Sequence, residues 1–143
     1  MPRDTTLLVT ADHGMVDVPK TAQVDVDDVP GLTAGVRVLT GEPRARHVHG
    51  LPGAGDDVLA AWQGALSDRM WVGRGADALS TGLLGPLVTD LSRSRVGGVV
   101  AVATSPVAVV RSRVEPLLTR LVGHHGALTA DELLVPLLTT HPQ

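Results

Sequence analysis

Leu7-Leu8-Val9-Thr10-Ala11-Asp12-His13-Gly14-Met15 runs from a β-prone apolar segment straight into a carboxylate, an imidazole and a glycine. A continuous apolar run, here with Thr5 and Thr6 before it, reads as a buried, parallel strand. Polar residues at the C-terminal end of such a strand lie where α/β proteins place ligands. Asp12 and His13 can both turn toward one divalent ion. Zinc suits them because it takes nitrogen and oxygen ligands and is redox-silent. Gly14 allows a sharp turn beneath the ion. The bland alternative is a strand-end turn with a solvated Asp12.

Outward from this strand, the chain reads as one α/β unit. Val16 to Pro30 is rich in Asp, Val and Pro and reads as an irregular connection. Gly35 to Thr40 and Ala45 to His49 read as strands joined by Gly41-Glu42-Pro43, a hairpin. Asp56 to Ser67 carries Val58, Leu59, Trp62 and Leu66 near helical spacing. Met70-Trp71-Val72 reads as a strand and Gly75 to Thr81 as a short helix ended by Gly82. The Val-rich runs 99–102 and 107–110, split by Thr104-Ser105-Pro106, predict an antiparallel hairpin. Thr129 with Glu132 three residues on reads as a capping box, leading into a last strand over Leu134 to Leu138.

Composition sets the limits. The 143 residues suffice for one domain with a core, and 43% are hydrophobic, which argues against disorder. There are two Trp and no Phe or Tyr, so Val, Leu and Ala must fill the core. Lys20 is the only Lys among twelve basic residues, a pattern that fits a GC-rich genome. The net charge of −3 gives no electrostatic case for nucleic acid or an acidic membrane. No apolar run reaches the length of a membrane span, and no signal peptide is visible. With no Cys, any metal site must use His and carboxylates.

A second chemical signal is Gly123-His124-His125-Gly126, adjacent imidazoles in a turn between glycines. Two surface histidines in a loop would look the same. His47 and His49 alternate on a presumed strand, point the same way, and read as exposed. Asp25, Asp27 and Asp28 lack the Gly and terminal Glu of an EF-hand and read as a solvated loop. Asp56 and Asp57 read as charge at a helix N-terminus. Arg93 and Arg95 read as solvent-facing, and His141-Pro142-Gln143 as a frayed tail.

The string Leu8 to Met15 resembles the "VTADHGM" segment of the nucleotide pyrophosphatase/phosphodiesterase branch of the alkaline phosphatase superfamily. His125-Gly126-Ala127-Leu128-Thr129, running into Glu132 to Leu138, is similar to that branch's late "HG" segment. Val36 to Arg46 and the helix around Trp62 also look like its bacterial members. The resemblance implies the C-terminal portion of an alkaline-phosphatase-like α/β sheet, with flanking helices and a β-hairpin insert. It implies two zinc ions, with Asp12 and His13 on one and His125 on the other. His124 reads as a neighbour.

The implied substrates are nucleotide-type phosphodiesters, pyrophosphates or small phosphate monoesters. The branch's Thr or Ser nucleophile and its remaining metal ligands have no match here, since only eleven residues precede Asp12. The expectation is therefore a single partial domain over 1–143, inert alone, whose N-terminal half is missing. A non-catalytic remnant, or a binding or assembly module of the same fold, is the alternative. The metal-dependent phosphoglycerate mutases share the metal logic but fit the two strings less well.

Overall fold

The computed structural model describes residues 5–140, so His141-Pro142-Gln143 lie outside the described residues. In chain order the elements are β1 (Leu7–Thr10), β2 (Val16–Asp17), a 3-10 turn (Lys20–Ala22), β3 (Gln23–Asp25), β4 (Val36–Glu42), β5 (Ala45–Gly50), α1 (Gly55–Leu66), β6 (Met70–Arg74), α2 (Gly75–Ser80), α3 (Asp90–Arg95), β7 (Val99–Ala103), β8 (Ala108–Val110), α4 (Pro116–Arg120), β9 (Gly123–His124), α5 (Ala130–Leu133) and β10 (Leu137–Thr140).

Four antiparallel strands form the main sheet, in the order β4-β5-β7-β6. The hairpin predicted over 35–49 is its edge, running from Val36 to Gly50, with Leu39 opposite Val48. All five residues of β7 are buried, as an interior strand of Val and Ala demands. Helix α1 presents Val58, Trp62 and Leu66, at i, i+4 and i+8, to the core. Asp56 and Asp57 lie in its first turn, where they favour the dipole. The Trp62 indole N–H donates to the Leu32 carbonyl at 3.1 Å, so the largest core side chain also has its polar atom satisfied. No helix among the described residues is long and apolar enough to cross a membrane.

Outside this sheet, three two-stranded ladders nest within one another. β1 pairs with β10 and β2 with β9, both antiparallel, and β3 pairs with β8 in parallel. The strands of residues 7–25 are thus laid along those of 108–140. This arrangement corrects the expected irregular segment at 16–30, where Val18, Val24 and Val26 are buried and draw the backbone into ladders. It also corrects the expected 99–110 hairpin. After β7 the chain turns at Ser105, whose carbonyl accepts from Val107 N–H at 2.7 Å, and β8 leaves for β3.

Three further expectations change. The strand at Leu7–Thr10 is neither buried nor parallel: all four residues are exposed, and its only partner among the described residues is antiparallel β10. The final strand begins at Leu137, three residues later than its apolar run suggested. Asp25 and Asp27 are not a free solvated loop. Asp25 accepts from Ser112 N–H at 3.2 Å, and Asp27 accepts from Arg113 N–H at 3.0 Å and faces Arg111 Nε at 3.3 Å.

Candidate metal centre

The nested ladders place two loops face to face: 11–15 between β1 and β2, and 125–129 after β9. At their meeting point the rings of His13 and His125 stack, with centroids 3.6 Å apart and 13° between planes. Two histidines from opposite ends of the chain are therefore in direct contact. Asp12 sits beside them, its side chain 89% exposed, with Oδ2 3.7 Å from His13 Nε2.

Each side chain's orientation has a local cause. His13 Nδ1 lies 2.8 Å from the Gly14 carbonyl. A carbonyl can only accept, so Nδ1 donates to it, and Nε2 is the nitrogen left to face outward. Metal-binding histidines are commonly held this way. Gly14 has no room for a side chain, because a Cβ there would lie 1.9 Å from the Asp131 carbonyl oxygen. Gly126, at φ +116°, brings its loop so close to β4 that a Cβ would meet that of Glu42 at 2.8 Å. Glu42 Oε2 ends 3.8 Å from His125 Nε2.

The neighbouring histidine is used differently. His124 is buried, and its Nε2 lies 3.2 Å from Gln23 Nε2, an amide that can only donate to it. Burial first, then the charges of Lys20, Arg44 and Arg46, push its pKa down and outweigh a bond at Leu121 that raises it. His124 is thus a neutral, occupied imidazole, whereas His125 is half-buried and faces His13. His47 and His49 lie on β5 away from this meeting point; His47 Nδ1 accepts from Gly97 N–H at 3.3 Å.

Behind the loops is an ion pair that the sequence did not reveal. Glu132, expected to cap α5, turns inward. Its carboxylate accepts from Arg44 Nε at 2.8 Å and Nη2 at 2.9 Å, both side chains almost fully buried. Arg44 Nη1 donates to the carbonyls of Ser105 and Val107. The predicted capping bond back to the Thr129 N–H is replaced by Thr129 Oγ1 donating to Glu132. Two charge-assisted bonds outweigh one neutral cap.

Burial alone would raise the Glu132 pKa, but the bonds from Arg44, Thr129 and Ala127 hold it at about 2, below its ordinary 4.5. A depressed folded pKa means that this carboxylate stabilises fully above about 4.5 and progressively less as the pH falls toward about 2. Urea unfolding followed from neutral pH into this window should show a loss on the order of 3 kcal/mol from this group. A flat profile would mean that the carboxylate is not buried in solution.

The donor types fit zinc: two imidazoles with Asp12 and Glu42 at hand. Among the described residues, however, no three His, Asp or Glu side chains converge on one point.

No protein-family model and no curated protein sequence matches the chain. Its fold matches solved structures. Human ectonucleotide pyrophosphatase/phosphodiesterase 5 superposes with a TM-score of 0.73 at 20% identity, covering 96% of this chain and 34% of that one. The murine protein gives 0.72 at 22% identity, covering 94% and 33%. An inactive variant of the murine protein in complex with AMP gives 0.74 at 22%, covering 96% and 34%. The chain has an alkaline-phosphatase-like α/β fold and spans about a third of the length of these proteins.

Proposed function

We propose that this chain is one part of a two-zinc phosphoric ester hydrolase acting on nucleotide-type phosphodiester or pyrophosphate substrates, and that it is inert alone. The observation that carries the reading is the stacked pair His13 and His125, brought together from opposite ends of the chain beside Asp12. Asp12 and His13 would ligate one ion, His125 the other. Bound zinc would polarise the phosphoryl group and stabilise the attacking and leaving oxygens. This chain's own contribution is to hold the two imidazoles at fixed separation, with the His13 ring oriented by the Gly14 carbonyl.

The other ligands and the nucleophile would come from a further polypeptide segment, in the same chain or another, carrying the rest of the sheet. The exposed apolar ladder offers it a seat. Leu8, Leu137 and Leu138 are each more than 60% exposed, and among the described residues only β10 is paired with β1. An open strand edge of this kind readily takes up another strand. On this reading residues 1–143 are a partial domain.

The same exposed ladder supports a second reading, a non-catalytic remnant or an assembly module of this fold. Zinc titration separates the two. Added to the isotope-labelled chain, zinc should move the His13 and His125 imidazole signals first, at micromolar to sub-millimolar concentrations. Asp12→Ala should weaken the His13 response. No binding up to millimolar zinc, or shifts confined to His47 and His49, would favour the second reading. Hydrolysis of a chromogenic phosphodiester by the chain alone, lost in His13→Ala, would overturn the expected inactivity.

A further inference from the structure

Glu132 is gripped from two directions. Its backbone carbonyl accepts from Gly14 N–H at 2.9 Å, one residue from His13. Its carboxylate accepts from Ala127 N–H at 3.0 Å, two residues from His125, and from Arg44, which is anchored beside the main sheet. One residue therefore touches both histidine loops and ties them to the core. We propose that Glu132 is a positioning residue: a two-sided clasp that fixes His13 against His125, so that the two loops hold and open as one unit.

An ordinary buried ion pair would not need this geometry. Apolar residues of similar volume at positions 44 and 132 would stabilise the fold about as well. They would give no acceptor to Ala127 or Thr129, and nothing would set the height of the 125–129 loop over Gly14. The close approach of Gly14 to the Asp131 carbonyl shows how tightly this contact is seated, since no side chain fits between them. The catalytic meaning of the clasp rests on the zinc reading above; its mechanical claim does not.

Hydrogen exchange followed by NMR, with no metal present, tests the claim separately from that reading. In the unmodified chain, the Gly14 and Ala127 amides should share one opening event, with protection equal to within roughly twofold. Glu132→Gln keeps the shape and removes the charge. It should lower the protection of both amides by roughly tenfold or more and abolish the ring-to-ring contact signal of His13 and His125. The Trp62 indole and the β7 amides, which exchange only on global unfolding, should stay better protected than both loop amides, even after the stability lost with the Arg44 pair.

Loss confined to Ala127, or an intact His13–His125 contact in Glu132→Gln, would overturn the proposal. So would Gly14 and Ala127 amides that exchange only together with β7 in one global opening, which would make Glu132 a general stability residue. Should Glu132→Gln fail to fold, the unmodified chain decides: matched openings of Gly14 and Ala127 support the clasp, and openings that differ by more than roughly tenfold refute it.

Discussion

Arg44→Met is expected to remove about 3–5 kcal/mol of folding stability, because it strands the Glu132 carboxylate in the interior without its partner. Arg44 is 1% exposed, and four of its five donors are spent on Glu132 and on the carbonyls of Ser105 and Val107. Methionine fills part of the volume but satisfies none of these acceptors. Urea unfolding at neutral pH gives the difference directly. The double substitution Arg44→Met with Glu132→Leu should recover much of the loss, since removing both charges costs far less than removing one. A single-substitution loss below about 1 kcal/mol would mean that water reaches Glu132, contrary to the geometry here.

Trp62→Ala should be nearly as damaging, for a different reason. Trp62 is the largest fully buried side chain, and it joins α1 to the sheet and to the loop at Leu32. Truncating a buried aromatic costs about 3–5 kcal/mol through lost transfer energy and the cavity left behind. The Leu32 carbonyl also loses its donor. Trp62→Phe should lose less, because the ring volume is largely kept. With total stabilities near 5–15 kcal/mol, either truncation leaves a chain that must be studied cold. A Trp62→Ala chain with an unchanged urea midpoint would show that the α1 packing described here is absent.

These two residues also mark what could be read from the sequence. Trp62 lies on a clean helical stripe, and α1, the 36–50 hairpin, β6 and α2 all follow from local spacing and turn residues. Arg44 gave no such signal. Arginine is ordinarily exposed, and burying one depends on a glutamate 88 positions away. The same non-locality hid the pairing of β8 with β3. A Val-rich run states that it is a strand but not which strand it joins. Thr129 and Glu132 satisfied the spacing of a capping box, yet the carboxylate had a stronger partner elsewhere.

The candidate site was legible in part. Asp12 and His13 stand out by residue type after an apolar strand, and His125 through the resemblance of its His-Gly string; the rings of His13 and His125 are in contact. Glu42 was not, since it reads as part of a turn and approaches His125 only after Gly126 folds over it. The exposure of β1 was also hidden. An apolar run looks the same in sequence whether or not a layer covers it.

The nested ladders have one more consequence, concerning connectivity. Leu7 stands opposite Thr140, so the two ends of the described chain are neighbours. A short linker from Thr140 to Leu7, with new ends opened at Gly53, would yield a circularly permuted chain. Gly53 sits in an exposed turn with nothing within 4 Å of where a Cβ would be, so a break there disturbs no packing. In that permutant the loops bearing His13 and His125 would lie on one continuous stretch, and closing them together would cost less chain entropy than closing them across the whole fold. In the given order the His13 and His125 loops close across 112 positions, and their meeting carries the larger entropy.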